Sequence, residues 1–180
     1  MLASVVLLSG CNLPFSPQLT VSRPSLQASV GGATLAQYFT LAAFRVADRL
    51  AAASNSLDQA FSDLAQGLIS PAYLRIVAAR SASSADAAEN EALALQPPAS
   101  LQIQAGTFLD AVRSLTSSLE DTAQALDRTT TDSNRQLAQD LAERQRAVAE
   151  VNAALTSLVD ASWPGRQTTS SSWRIQGAGK

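Results

Sequence analysis

Apolar residues recur three and four positions apart over most of this chain, and that spacing is what most constrains its fold. It places them on one face of an α-helix. Four such segments are predicted as helices, at 34–68, 72–95, 100–128 and 133–161. Short connections between helices favour antiparallel neighbours. The sequence therefore predicts an all-α, up-and-down bundle of about four helices over residues 34–162.

The apolar stripe of each segment predicts which residues fill the core. The first stripe comprises Val46, Leu50, Ala53, Leu57, Phe61, Leu64 and Leu68, and the second opens with Tyr73, Leu74, Ile76 and Val77. The third comprises Phe108, Val112, Leu115, Leu119 and Leu126, and the fourth comprises Leu137, Leu141, Val148, Val151, Leu155 and Leu158. Heptad stripes of this kind form an intramolecular core or, alternatively, a seam for a partner helix or a second copy.

Charged residues relate to these stripes in two ways. Arg144 falls on the fourth stripe, where we expect its stem to lie along apolar surface while its guanidinium reaches an Asp or solvent. Asp58 falls off the first stripe and is expected to be solvated. Asp140 and Glu143 share a face, but that face is off the fourth stripe, so they too are expected to be solvated.

The junction between the third and fourth segments leaves two architectures open. No Gly or Pro occurs from Thr107 to Ser162, so one continuous helix would give an elongated helical hairpin or coiled coil. Residues 127–134 contain no apolar side chain, however, and include three adjacent threonines and several residue types that favour a helix N-terminus. We therefore predict a turn, and with it the four-helix bundle.

We interpret the residues before the first helix as a spacer. Pro14, Pro17 and Pro24 disfavour helix, and Gly31-Gly32 ends the segment. We expect residues 11–33 to form an extended tether, and the Ser/Thr-rich residues 163–180 to form a flexible tail.

The first residues carry a targeting signal. An apolar run from Leu2 to Leu8 is followed by two small residues, Ser9 and Gly10, and then by Cys11, the single cysteine of the chain. The run Leu8-Ser9-Gly10-Cys11 resembles the lipobox of bacterial lipoproteins. The resemblance implies that residues 1–10 are a signal peptide, that cleavage falls between Gly10 and Cys11, and that Cys11 becomes the lipidated N-terminus.

Two further sequence features bear on the lipoprotein interpretation. A signal peptide normally opens with Lys or Arg, and none precedes Cys11, so we expect the true start to lie upstream of Met1. The resemblance also implies that Asn12, in place of Asp, favours the outer membrane over the inner one. The alternative is that Cys11 is a small buried hydrophobic residue of the fold.

The amino-acid composition limits which catalytic, metal-binding and nucleic-acid-binding sites the chain can form. The chain has no histidine, which removes the commonest general base and metal ligand and excludes the usual Glu-x-x-His di-metal site of helical bundles. A net charge of −2 indicates no strong attraction to nucleic acid. Glu89 and Glu91 are two residues apart and diverge on a helix, so they make a poor acid/base pair. We expect no enzymatic activity, no cofactor and no metal.

Together these features predict a membrane-anchored, non-enzymatic lipoprotein, a helical scaffold, adaptor or accessory subunit of a cell-envelope assembly. Its membrane contact would be the lipid on Cys11, and its partner another protein or a second copy bound through the heptad faces. Two alternatives stay open. One is a periplasmic carrier that holds a lipid or small hydrophobic ligand between Ala-rich helices. The other is a phage- or plasmid-type lysis or exclusion lipoprotein.

Overall fold

The computed structural model describes residues 34–128 and 133–164, apart from the side chains of 133–136 and 138. Its four helices are α1 (Leu35–Ala65), α2 (Pro71–Ala94), α3 (Gln102–Asp127) and α4 (Ser133–Ser162), and a 3-10 turn at Ala99–Leu101 precedes α3. The predicted all-α bundle is confirmed. Residues 1–33, which include the predicted signal peptide and tether, and residues 165–180 lie outside the described residues.

Local sequence sets where the first two helices begin and end. The Thr34 hydroxyl accepts a hydrogen bond from the Gln37 backbone N–H at 3.3 Å, and the Gln37 side chain accepts one from the Thr34 N–H at 2.9 Å. This capping box starts α1. Gly67, at a φ of 73°, reverses the chain after α1. Pro71 then occupies the first turn of α2, where its missing N–H costs nothing.

The helices α3 and α4 are separate. The first ends at Asp127 and the second begins at Ser133. This confirms the predicted turn and excludes a single helix over 100–161. Residues 129–132 of the connection lie outside the described part of the chain.

Cross-helix contacts fix the antiparallel register. Thr40 and Ser162 share a hydrogen bond at 2.6 Å, and Asp58 forms an ion pair with Arg144. On α1, Asp58 lies eighteen residues after Thr40. On α4, Arg144 lies eighteen residues before Ser162, so the two helices run antiparallel. Eighteen residues are five helical turns, about 27 Å. Two polar contacts thus hold α1 and α4 in register at well-separated heights.

The predicted stripes form one core. Its fully buried large side chains include Leu50, Leu57, Phe108, Leu115, Leu119, Val151 and Leu158. Alanines such as Ala78, Ala85 and Ala88 fill the side of the core contributed by α2. Most of the heptad stripes of α3 and α4 thus pack inside the bundle, whereas Leu137 and Leu141 of the fourth stripe are only half-buried. No helix among the described residues combines the length and the hydropathy that crossing a bilayer requires.

Three residues assigned to the stripes are exposed. Leu68 is 69% exposed because it lies beyond the end of α1, after the reversal at Gly67. Tyr73 and Ile76 are about half exposed. They lie on either side of Leu74, whose side chain is buried in the core. The prediction that Tyr73 and Ile76 belong to the core was therefore wrong.

Candidate functional site

A polar layer crosses the bundle between α1 and α4. Arg144 is only 2% exposed, and its guanidinium donates to the Asp58 carboxylate, which is itself 17% exposed. Asp140 lies one turn before Arg144 on α4 and is 4% exposed. Asn55 lies one turn before Asp58 on α1. Spacings of three and four residues put each pair on one helix face. Because α1 and α4 are antiparallel, Asn55 and Asp140 lie on opposite sides of the Asp58–Arg144 pair along the bundle axis.

This layer corrects two sequence predictions and confirms that the Arg144 guanidinium reaches an Asp. Asp58 and Asp140 were expected in solvent, but α4 covers the first and both are largely buried. Arg144 does reach an Asp, but its whole side chain is enclosed and does not extend to the surface. Glu143 is exposed as predicted. The one sequence signal for the layer was Arg144 itself, a charge on an apolar stripe.

Burial dominates the electrostatics of the Asp58–Arg144 pair. Desolvation raises the pKa of the Asp58 carboxyl, although the Arg144 charge opposes the shift. Desolvation likewise lowers the pKa of Arg144, against the attraction of Asp58. The Nη1 atom of Arg144 and the Oδ1 atom of Asn55 are buried without a hydrogen-bond partner among the described residues. We therefore expect the pair to contribute more to the alignment of α1 and α4 than to the net stability of the fold.

Ser118 of α3 connects the polar layer to the surface. Its hydroxyl donates to the backbone carbonyl of Asp140 at 3.4 Å, and Thr122 donates to the carbonyl of Ser118 at 2.8 Å. Ser118 also lines an open groove of about 270 Å³ between α3 and α4. The other residues of that groove are Ser114, Ser117, Asp121, Glu143, Arg146 and Glu150.

A second groove lies further along the same α3–α4 face. It measures about 340 Å³, is open to solvent and is lined by three alanines, Ala111, Ala153 and Ala154, together with Thr107, Asp110, Glu150 and Ser157. A carrier usually encloses most of its ligand's surface. Neither groove encloses a ligand in that way.

Two acidic residues of α2 form ion pairs with two different neighbouring helices. Glu91 pairs with Arg49 of α1 at 2.8 Å, and Glu89 with Arg113 of α3 at 3.5 Å. The predicted divergence of the two glutamates is confirmed.

Beside Glu89, a hydrogen bond with the Asp86 carboxylate raises the pKa of Glu120, and burial and nearby negative charges add to the effect. The Glu120 carboxyl therefore holds its proton to higher pH than usual.

The described residues form no group of three or more metal-binding side chains. The predicted processing and lipidation residues, Gly10 and Cys11, lie outside the described part. What the geometry does provide is a bundle in which polar contacts hold α1 and α4 in register and two open grooves lie between α3 and α4. Comparison of the chain with protein families, with curated proteins and with solved structures gave no match.

Proposed function

We propose that this protein is a lipid-anchored, non-enzymatic helical scaffold or accessory subunit of a cell-envelope assembly, attached through Cys11. The observation that carries the proposal is the run Leu8-Ser9-Gly10-Cys11 after an apolar segment. An acyl chain contributes about 0.8 kcal/mol per buried methylene, so two or more chains hold a protein at a membrane. We place it at the outer membrane, facing the periplasm.

The bundle supports a scaffold more than a carrier. Large side chains from all four helices fill its interior, and the two grooves described on its surface are open. The contacts Thr40–Ser162 and Asp58–Arg144 hold the helices in one alignment. A fixed outer surface of this kind suits binding to another protein.

The tether sets how far this surface is from the membrane. Residues 12–33 separate Cys11 from Thr34, which caps α1. Fully extended, these residues reach about 70 Å. The bundle is therefore expected to meet partners within that distance of the bilayer.

Labelled palmitate should be incorporated into this protein in bacterial cells, and Cys11→Ala should abolish the label. The thiol of Cys11 is the expected acceptor for the diacylglyceryl group, so no other residue can replace it. The measurement is the label that co-migrates with the immunoprecipitated protein, normalised to its amount.

Asn12→Ala is the matched control, because it leaves the residues from Leu8 to Cys11 intact and should keep the label. Equal label in the wild type and Cys11→Ala would show acylation elsewhere and contradict the proposal. A lack of label in the wild type, with the protein present, would also contradict it.

A further inference from the structure

The first turn of α1 projects beyond the end of α4. Ser162, the last residue of α4, shares a hydrogen bond with Thr40, so the turn Leu35–Phe39 extends about 7 Å past it along the bundle axis. On this turn Leu35 is 77% exposed and Tyr38 is 60% exposed. We call Leu35–Phe39 the tip of α1. It lies where the predicted tether joins the bundle.

Side chains on the outer face of α1 follow a graded order. Leu35 and Tyr38 are three residues apart, and Arg45 lies two turns after Tyr38, so the three share that face. All three are exposed. An aliphatic side chain thus lies at the tip, an aromatic hydroxyl next to it and a cation about 10 Å further in. A membrane–water interface has the same order of depth, because apolar groups lie deepest, Tyr lies at the headgroups and Arg extends toward the phosphates.

The tether end of the bundle, where α1 and α3 begin and α2 and α4 end, carries little charge. Its described segments 34–44, 92–109 and 161–164 contain no Asp, Glu, Lys or Arg. They include Ile103, which is 82% exposed. Asp160 is exposed as well, but it lies further into the bundle than the tip. This end can therefore enter a less polar environment without the desolvation of many charges.

We propose that the tip of α1 docks on the surface of the bilayer that holds the protein's lipid, with Leu35 and Tyr38 in the headgroup region and Arg45 beside the phosphates. The tether selects a bilayer as the occupant, because residues 12–33 join the bundle to Cys11 at this end. A flexible chain of that length spans about 25 Å on average. The tip therefore meets the bilayer at a high effective concentration, and a small apolar surface is enough to hold it there.

The inference rests on the proposed lipid anchor, and its test supplies an anchor chemically so that the two fail separately. Cys11 is the only cysteine of the chain. The purified full chain is therefore coupled through Cys11 to a maleimide-bearing phospholipid in phosphatidylcholine vesicles. A failure of acylation in cells would leave this experiment unaffected.

Quenching of tryptophan fluorescence by lipids brominated on their acyl chains reports whether the tip reaches the bilayer. The probe is Tyr38→Trp in a chain whose natural tryptophans are removed by Trp163→Phe and Trp173→Phe. A side chain buried about 5–10 Å into the boundary between headgroups and acyl chains lies near the bromines, so we expect its fluorescence to fall about twofold. Leu35→Trp in the same background is a second probe and should give the same result. Circular dichroism confirms that each variant keeps its helices.

Leu68→Trp in the same background is the matched control. Leu68 is 69% exposed, similar to Leu35, but it lies beyond the far end of α1, so its tryptophan should keep its fluorescence. Adding Leu35→Asp to the Tyr38→Trp chain should abolish the quenching, because the new carboxylate would have to lose water to enter the headgroup region. Equal quenching of the Tyr38→Trp and Leu68→Trp chains, no quenching at the tip, or unchanged quenching after Leu35→Asp would overturn the proposal.

Discussion

Asp58→Ala is expected to lower the free energy of unfolding by about 3–5 kcal/mol, because it leaves the guanidinium of Arg144 buried without its ion-pair partner. Arg144 is 2% exposed and cannot readily discharge, since arginine keeps its proton at any ordinary pH. Arg144→Met should cost less. The remaining Asp58 carboxyl is 17% exposed, and its pKa is already raised, so it can take up a proton or contact water. Urea unfolding followed by circular dichroism measures both changes.

The double variant Asp58→Leu with Arg144→Met is the informative control. Burial outweighs attraction in the pKa values of both groups, so an apolar pair of similar size should match the wild type within about 1 kcal/mol or exceed it. Such a result would indicate that the Asp58–Arg144 pair aligns α1 with α4 and does not increase the net stability of the fold. A double variant as unstable as Asp58→Ala alone would contradict this account of the polar layer.

Phe108→Ala should lower the free energy of unfolding by about 3–5 kcal/mol. Phe108 is 2% exposed and is the largest of the fully buried side chains. Its loss removes a full aromatic ring from the core and leaves a cavity that neighbouring side chains on the other helices can fill only in part. The same urea experiment measures the effect.

Ile103→Ala is the matched control for that variant. Ile103 begins the same helix but is 82% exposed, so its truncation should change stability by no more than about 0.5 kcal/mol. Similar losses at both positions would contradict the assignment of Phe108 to the core and of Ile103 to the surface.

Periodicity predicted most of this fold. The stripe around Leu50 and Leu57 lies in the core as expected, and the polar run before Ser133 marked the turn between α3 and α4. Both features are local, so a single sequence contains them. Tyr73 and Ile76 were wrongly assigned to the core because apolar residues surround the first turns of α2 on several sides. Its sequence does not distinguish the buried side from the exposed one, and only packing against α1 and α3 does.

The polar layer escaped prediction for a different reason. Burial of Asp58 depends on Arg144, which lies 86 residues later in the sequence, and on the antiparallel register that brings the two together. Arg144 marked the place in α4, but nothing local indicated its partner in α1. Asp140 looked solvated because it lies off the Leu137/Leu141 stripe, whereas α3 contacts that side of α4 through Ser118.

The central claim is that the mature protein begins at a lipidated Cys11, and the intact mass of the protein purified from bacterial membranes tests it most directly. We predict the mass of the chain from Cys11 onward plus that of a diacylglyceryl group and an N-terminal acyl chain. A chain that keeps residues 1–10, or one that begins at Cys11 without added lipid, would contradict the account.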